Sequence, residues 1–294
     1  MRRLDHEGRF LEGARWRNGR WWVSDMVERA VCCLDMGGRT IDRITFEDRP
    51  SGLGWLPDGA LIAVGMDSRT LMRVGPGSAT ATRHIDLTAQ CGDLDGYIND
   101  MAVTPDGHIY VGFDPDFHRY GFDCPAGAII HVDPAGRADV VATGLHFPNG
   151  MVVTADGATL IVAETGSPRL TAFARASDGG LHDRRIWAAI GPDADHRHDR
   201  RRPLPLDGIG LDGCAIDRRG HVWVANAHSS SCLRVAPDGG IVDGVAIPDG
   251  YRCLACAIGG EEGELLLLCG LALSPDDDLA TSRSHLFVVE HGAA

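Results

Sequence analysis

The chain has 294 residues, of which 44% are hydrophobic and 23% charged, a composition that supports a folded core and excludes a disordered chain. Its 28 basic and 41 acidic residues give a formal net charge of -13, so the protein as a whole repels polyanions such as nucleic acid. Every basic residue is Arg. The lack of Lys excludes Schiff-base chemistry, a phosphate-binding P-loop and a Ser-Lys dyad on this chain.

The stretch MRRLDHEGRF has no apolar segment that would serve as a secretion signal, and no segment has the ~20 apolar residues of a membrane span. Nine cysteines at irregular spacings, in a chain too long to need a disulfide framework, are predicted to be reduced and buried. We therefore expect a cytoplasmic protein, a monomer or small homo-oligomer, with no nucleic-acid or membrane partner.

One pattern recurs along the chain: an apolar strand, a tight turn ending in Gly, a second strand rich in Val, Ile or Trp, and a third strand. Copies of this pattern begin at Glu12, Ser51, Asn99, Asn149 and Asp212, and a weaker sixth copy starts with YRCLACAIGG and ends with HLFVVE. The turn glycines are Gly19, Gly59, Gly107, Gly157 and Gly220, each able to supply the positive φ of a hairpin turn. Their spacing suits blades of about four strands.

These repeats predict an all-β fold, a six-bladed β-propeller that forms one domain over residues 1–294. A β-sandwich is the structural alternative, but it does not predict six similar units. The charged segment at residues 191–208 interrupts the pattern between the fourth and fifth copies. We expect it to form a solvated loop over one face, with His196 and His198 as part of that loop.

Four of the repeats place an oxygen-bearing side chain at the same position. Asn99, Asn149 and Asp212 each lie eight residues before the turn Gly, and Glu12 lies seven before Gly19. The innermost strands of a propeller line its axis, so these side chains are predicted to converge. Two carboxylates and two amides favour one hard divalent ion, Ca²⁺, Mg²⁺ or Mn²⁺, over a structural zinc site with thiolate and imidazole ligands. The competing interpretation is that these four residues only cap the transitions from loop to strand.

The motifs LEGARW, YINDMAVTPDGHIYVG, FPNGMVV and LDGCAIDRRGHVWVA resemble the senescence marker protein, gluconolactonase and luciferin-regenerating-enzyme family, which includes regucalcin. The diisopropyl-fluorophosphatase-like propellers are more distantly similar. The resemblance implies a propeller whose divalent ion is bound by Glu12, Asn149 and Asp212, with Asn99 beside metal and substrate, and lactone hydrolysis as the leading activity. Sugar-lactone members commonly have Arg where this chain has Tyr97, which favours a less hydroxylated lactone.

For lactone opening, Asp212 is the predicted general base and Asn99 orients the substrate oxygen. Tyr97 and His146 are the further predicted substrate-binding residues, and Asp100 is expected to support the metal ligands. The rival hypotheses are phosphotriester or other ester hydrolysis on the same metal site, and a non-enzymatic binding propeller in which the ion only holds the axis together.

Three further features have both a structural and a functional interpretation. The Cys253-x-x-Cys256 pair predicts a buried strand rather than a redox or zinc half-site, because no second pair exists. His228 lies close enough to a predicted ligand strand to reach the mouth of the pocket. Phe113, Phe117 and Phe122 are expected either to add an apolar wall to the substrate side or to pack beneath their loop.

Overall fold

Six four-stranded antiparallel sheets make up the structure, a computed structural model. It describes residues 1–120, 124–191, 208–272, 279 and 281–291, without the side chains of residues 117 and 118. The predicted all-β, six-bladed propeller is confirmed. Most of the predicted 191–208 loop, with His196 and His198, lies outside the described residues, as do Phe122 and the side chain of Phe117.

The first three blades follow one another along the chain, each with its strands in sequence order. The first blade contains β2 (Leu11–Arg17), β3 (Arg20–Asp25), β4 (Ala30–Leu34) and β5 (Thr40–Thr45). The second contains β6 (Pro50–Trp55), β7 (Leu61–Gly65), β8 (Thr70–Val74) and β9 (Ala81–Asp86). The third contains β10 (Gly96–Val103), β11 (Ile109–Pro115), β12 (Gly127–Val132) and β13 (Ala138–Leu145).

The remaining blades keep this order until the last, which recruits a strand from the start of the chain. The fourth blade contains β14 (Pro148–Val153), β15 (Thr159–Glu164), β16 (Arg169–Arg175) and β17 (Leu181–Ala189). The fifth contains β18 (Leu211–Ile216), β19 (Val222–Asn226), β20 (Ser231–Val235) and β21 (Ile241–Ala246). The sixth contains β22 (Tyr251–Gly259), β23 (Leu265–Ala272), β24 (Ser284–Glu290) and β1 (Arg2–Gly8).

The outer edge of the sixth blade closes the ring. There β1 pairs antiparallel with β24, with Arg2 opposite Val288 and Gly8 opposite Ser284. This pairing ties the two ends of the described chain together, so the ring cannot open without breaking a strand pair. The repeat pattern did not predict it, because β1 precedes the first recognisable repeat.

The first hairpin turn shows how the local sequence sets the blade geometry. Asn18 and Gly19 both have positive φ, 50° and 72°, as the favoured two-residue hairpin turn requires. Asn and Gly tolerate this conformation better than other residues. The first blade therefore has a two-residue link between its first two strands, whereas the corresponding links of the other blades are longer, as between Trp55 and Leu61.

The hydrophobic core is divided among the blade interfaces. Six clusters of buried apolar side chains occur in the described residues, each uniting strands of adjacent blades. One of them joins Leu267 of the sixth blade to Trp21 of the first, which seals the ring. The described residues include two helices, α1 (Thr88–Cys91) and α2 (Phe117–Tyr120), each a single turn between strands. No helix in the described parts of the chain has the length and apolarity to cross a membrane.

Candidate metal centre at the propeller axis

Every innermost strand has an irregular register with the second strand of its blade, and always at the same level. The shifts lie between Glu12 and Arg15, Pro50 and Leu53, Ile98 and Met101, Pro148 and Met151, Leu211 and Cys214, and Cys253 and Ala255. Such a bulge bends the strand and changes the direction of a side chain. The four predicted metal ligands lie at this level, which places them at one height along the axis.

The glycines that follow Asn149 and Asp212 allow neighbouring innermost strands to touch. A Cβ added to Gly150 would lie 2.5 Å from both the Asp212 carbonyl oxygen and the Cys214 nitrogen. A Cβ added to Gly213 would lie 2.8 Å from the Ala255 Cα. The polar-Gly pairs thus have a packing cause beyond starting a strand: the Gly lets adjacent blades approach at the level of the polar side chain.

Three of the predicted ligands lie together at the axis. Glu12, Asn149 and Asp212 come from the first, fourth and fifth blades and are 5%, 4% and 7% exposed. The Asn149 amide donates to Thr165 Oγ1 at 3.2 Å and also hydrogen-bonds the Asp212 side chain. Its Oδ1 is buried and has no hydrogen-bond partner. A buried carbonyl oxygen without a donor is energetically costly, and a cation would satisfy it.

The electrostatics of the cluster favour a cation. Burial raises the pKa of Glu12 well above its ordinary range, and repulsion from Asp212 and Asp100 raises it further. Burial likewise raises the pKa of Asp212 well above its ordinary range, with repulsion from Asp100 next in size. These carboxylates resist ionisation because their charges are desolvated and face like charges. A bound divalent ion would reverse that balance.

Asn99 lies at the same level but is held differently. It is 9% exposed, and its Oδ1 accepts a hydrogen bond of 2.8 Å from Ser51 Oγ, a residue of the second blade. The Ser51 hydroxyl therefore fixes the amide orientation. The second lone pair of Oδ1 is available to a further donor or cation.

A partly buried ion pair lies beside this cluster. Arg15 Nη2 donates to Asp100 Oδ1 at 2.8 Å, and Arg15 Nε donates to the Leu53 carbonyl at 2.9 Å. Arg15 also lines a cavity of about 790 Å³ at the hairpin-turn end of the axis, together with Trp16 and Trp55. The guanidinium thus stands between the polar cluster and this cavity.

The donor set fits a hard divalent ion. Among the described residues, no group of three or more His, Cys, Asp and Glu is arranged to hold a metal. The candidate centre rests instead on two carboxylates and amide oxygens, the ligands that Ca²⁺ and Mg²⁺ prefer. The orphaned Asn149 Oδ1 is the observation that supports this fit most directly.

Comparison with known proteins identifies the family. Residues 10–269 match the family model described as SMP-30/Gluconolactonase/LRE-like region. The chain belongs to this family. It is 25% identical over 231 residues to a gluconolactonase of Zymomonas mobilis, and 25% identical over 205 residues to a pentonolactonase of Haloferax volcanii. These matches cover 76% and 70% of this chain but only 61% of each relative.

Solved structures support the same fold. A calcium-binding protein, regucalcin, from Agrobacterium tumefaciens superposes with a TM-score of 0.76 at 22% identity, covering 97% of this chain and 92% of that one. The predicted family resemblance is confirmed by the family-model match over residues 10–269. At 22% identity the structural similarity establishes the propeller architecture only. The chemistry has to be argued from the residues of the site.

The remaining predicted site residues occupy different environments. Tyr97, on β10, is half-buried against the core, and its hydroxyl donates to Asp116 Oδ1 at 3.2 Å. His146 is exposed, and its backbone nitrogen donates to Glu164 Oε2 at 2.7 Å. His228 is buried at 2% exposure, with its ring against Gly210. Of the predicted aromatic wall, Phe113 is a core residue, which favours its packing interpretation.

The cysteines do not form a second chemical site. None of the nine described cysteines forms a disulfide and eight of them are buried, as predicted from their number and spacing. Cys253 and Cys256 lie in β22, and the Cys256 thiol is within 3.4 Å of the Trp223 carbonyl. They fill space between the fifth and sixth blades, in accordance with the buried-strand interpretation.

Sequence reasoning missed the supporting residues of the centre. Arg15 follows Glu12 by three positions and comes directly after the buried first half of its strand, so a charged residue there is an available but weak signal. Ser51 begins the second repeat, and its hydroxyl orients the Asn99 amide, a role that the repeat pattern does not indicate. Thr165 lies directly after β15 and joins Asn149 to the Leu211 carbonyl, a contact that spans blades and leaves no local pattern.

Proposed function

We propose that this protein is a divalent-metal-dependent hydrolase that opens a lactone at the axial centre. The observation that carries the proposal is the buried cluster of Glu12, Asn149 and Asp212, whose carboxylates resist ionisation and whose Asn149 Oδ1 lacks a donor. Such a cluster costs folding free energy unless a cation occupies it. The lactonase names of the family relatives support the reaction class.

In this proposal Glu12, Asn149 and Asp212 hold the ion, and Asn99 is the fourth ligand. Ca²⁺ is the first choice, since a protein of the same fold is described as calcium-binding. Mg²⁺, Mn²⁺ and Zn²⁺ are the alternatives. A divalent ion bound there supplies positive charge that polarises the lactone carbonyl and lowers the pKa of water.

The side chains then have distinct roles in ring opening. Asp212 accepts the proton of the attacking water and later returns it to the alkoxide that leaves the ring. The Asn99 amide, fixed through its bond from Ser51, orients the substrate oxygen. Asn149 keeps Asp212 in place through their hydrogen bond. The depth of the cluster limits water around the reacting carbonyl, which strengthens these electrostatic interactions.

Tyr97 and His146 are the proposed substrate contacts outside the metal ligands. Tyr97 presents one hydroxyl and a large apolar ring, and that hydroxyl already has a partner in Asp116. A pocket wall of this kind gains little from extra substrate hydroxyls, which must lose water on entry. The proposed substrate is accordingly a lactone with fewer hydroxyl groups than a sugar lactone.

The test is a screen for metal-dependent lactone hydrolysis, followed as proton release, with and without chelator. Gluconolactone, an alkyl lactone of equal ring size and a phosphotriester are compared on the same preparation. We expect lactone turnover that chelator abolishes and Ca²⁺ restores. Faster phosphotriester turnover would favour the rival ester chemistry, and binding without turnover of any substrate would favour a binding propeller.

Two expectations accompany this proposal. The whole chain, 1–294, is taken as one domain that acts on a small molecule as a monomer or small homo-oligomer. A cytoplasmic location stays a prediction from the sequence.

A further inference from the structure

The Arg15 side chain connects three blades beneath the proposed metal site. From the first blade it donates to the Ala14 carbonyl at 2.9 Å, to the Leu53 carbonyl of the second blade, and to Asp100 and the Met101 carbonyl of the third, the last at 2.9 Å. Its side chain is 20% exposed, and that of Asp100 is 1% exposed. The pair is therefore an internal ion pair with fixed geometry.

Only one oxygen of Asp100 is used by this pair. Oδ1 accepts from Arg15 and from the Met101 nitrogen at 2.7 Å, whereas Oδ2 is buried and has no hydrogen-bond partner. Asp100 lies close enough to Glu12 and Asp212 to repel both, and Arg15 attracts Glu12. Asp100 thus belongs electrostatically to the axial cluster, although Arg15 holds it.

The formal charges of this cluster have a simple balance. Glu12, Asp100 and Asp212 contribute three negative charges when ionised, and Arg15 contributes one positive charge. The net charge of the cluster is then two negative charges. Such a balance matches one divalent ion. A trivalent ion would leave an uncompensated positive charge in a buried site, and a monovalent ion would leave a negative one.

We infer that Arg15, acting through Asp100, sets the net charge of the axial cluster and thereby selects a divalent cation over a trivalent one. Arg15 is a positioning and selectivity residue, since its guanidinium donates to Asp100 and to three backbone carbonyls and is not one of the proposed ligands. The inference rests on the proposed metal site and adds the charge that this site is built to accept.

The experiment compares Ca²⁺ and Tb³⁺, ions of similar size and different charge, on the metal-free full-length protein. Ca²⁺ affinity is measured by calorimetry and Tb³⁺ affinity by luminescence titration. The ratio of the two is the readout, because both ions start from the same metal-free protein and changes in that state cancel. The variants are Arg15→Gln, Arg15→Lys, Asp100→Asn and the double variant Arg15→Gln/Asp100→Asn.

In Arg15→Gln the cluster gains one net negative charge, so the preference for Tb³⁺ over Ca²⁺ should rise about tenfold, as expected for a unit charge within ~10 Å in the protein interior. Asp100→Asn should lower the preference by a similar factor. Arg15→Lys and the double variant, both with the original net charge, should stay within about threefold of the unmutated protein.

A purely structural role predicts a different result: all variants bind both ions more weakly and the ratio does not move. That result would overturn the inference while leaving the metal site intact. If the unmutated protein binds neither ion, the metal site falls and the inference with it. Should Arg15→Gln fail to fold, the near-isosteric Asp100→Asn still decides, because an unchanged ratio in that variant contradicts the charge balance.

Discussion

Substitution of Gly150 by Ala tests whether the contact between the fourth and fifth blades sets the geometry of the centre. The new Cβ would lie 2.5 Å from the backbone atoms of Asp212 and Cys214, whereas ordinary contact begins near 3.4 Å. The strands must therefore separate by roughly 0.9 Å, the difference between these distances. Both contacts are with backbone, so no side-chain rotation relieves them.

This separation moves Asn149 away from Asp212. The proposed ion needs both of these side chains within ligand distance. Metal-ligand distances vary by only about 0.2 Å in well-formed sites, so 0.9 Å removes one ligand from reach. We expect divalent-metal affinity to fall and lactone turnover to drop about 100-fold. Overpacking should also cost about 1–3 kcal/mol of the free energy of unfolding.

The assays are calorimetric metal binding, kcat/KM for the best lactone of the screen, and thermal unfolding in chelator. Gly75→Ala is the matched control: its nearest atom is Arg73 Nη1 at 3.8 Å, and its φ lies outside the left-handed region. If Gly150→Ala lost stability yet kept metal affinity and turnover, the inter-blade contact could not be what positions the ligands.

Three further predictions follow from the site. Asp212→Asn at saturating metal should lower kcat about 10²- to 10⁴-fold, and wild-type turnover would exclude Asp212 as the base. Tyr97→Arg should raise kcat/KM for gluconolactone relative to an alkyl lactone by about tenfold, with Tyr97→Phe unchanged, and an opposite shift would refute the role of Tyr97. The pKa values of Glu12 and Asp212 are raised in the metal-free folded state, so these carboxyl groups stay protonated there, whereas they lose their protons near pH 4 in the unfolded state. The stability of the metal-free protein therefore falls as the pH rises above about 4. The increase in Tm on adding Ca²⁺ should accordingly grow from pH 5 to pH 8, and a constant increase would contradict this linkage.

The repeat pattern predicted the fold well because the inner three strands of each blade are apolar and end in Gly turns. The outer strands escaped it, since they are largely exposed: β21 has no buried residue, and β5 has only Ile44. The strand pairing of β1 with β24 was also missed, because closure of a ring is a long-range contact without a local signature.

In the candidate centre, Glu12, Asn149 and Asp212 could be located from their position within the repeat, because equivalent positions in the repeats lie at equivalent places around the axis. Their position within the repeat could not show which groups surround them. Arg15 and Asp100 meet only after the first and third blades are assembled, and the orphaned Asn149 Oδ1 is visible only from the packing around it. The contacts that set the charge of the centre and the orientation of its ligands are thus tertiary, whereas the ligand positions can be predicted from the repeat.

Diffraction from crystals soaked in Mn²⁺, recorded at the manganese edge, tests the central claim most directly. We predict one anomalous peak on the propeller axis, within about 2.0–2.6 Å of oxygens from Glu12, Asn99, Asn149 and Asp212. The peak should vanish in Asp212→Asn crystals soaked at a concentration that just saturates the unmutated protein. A peak elsewhere, or none under conditions that support lactone turnover, would contradict an axial metal centre built from these four residues.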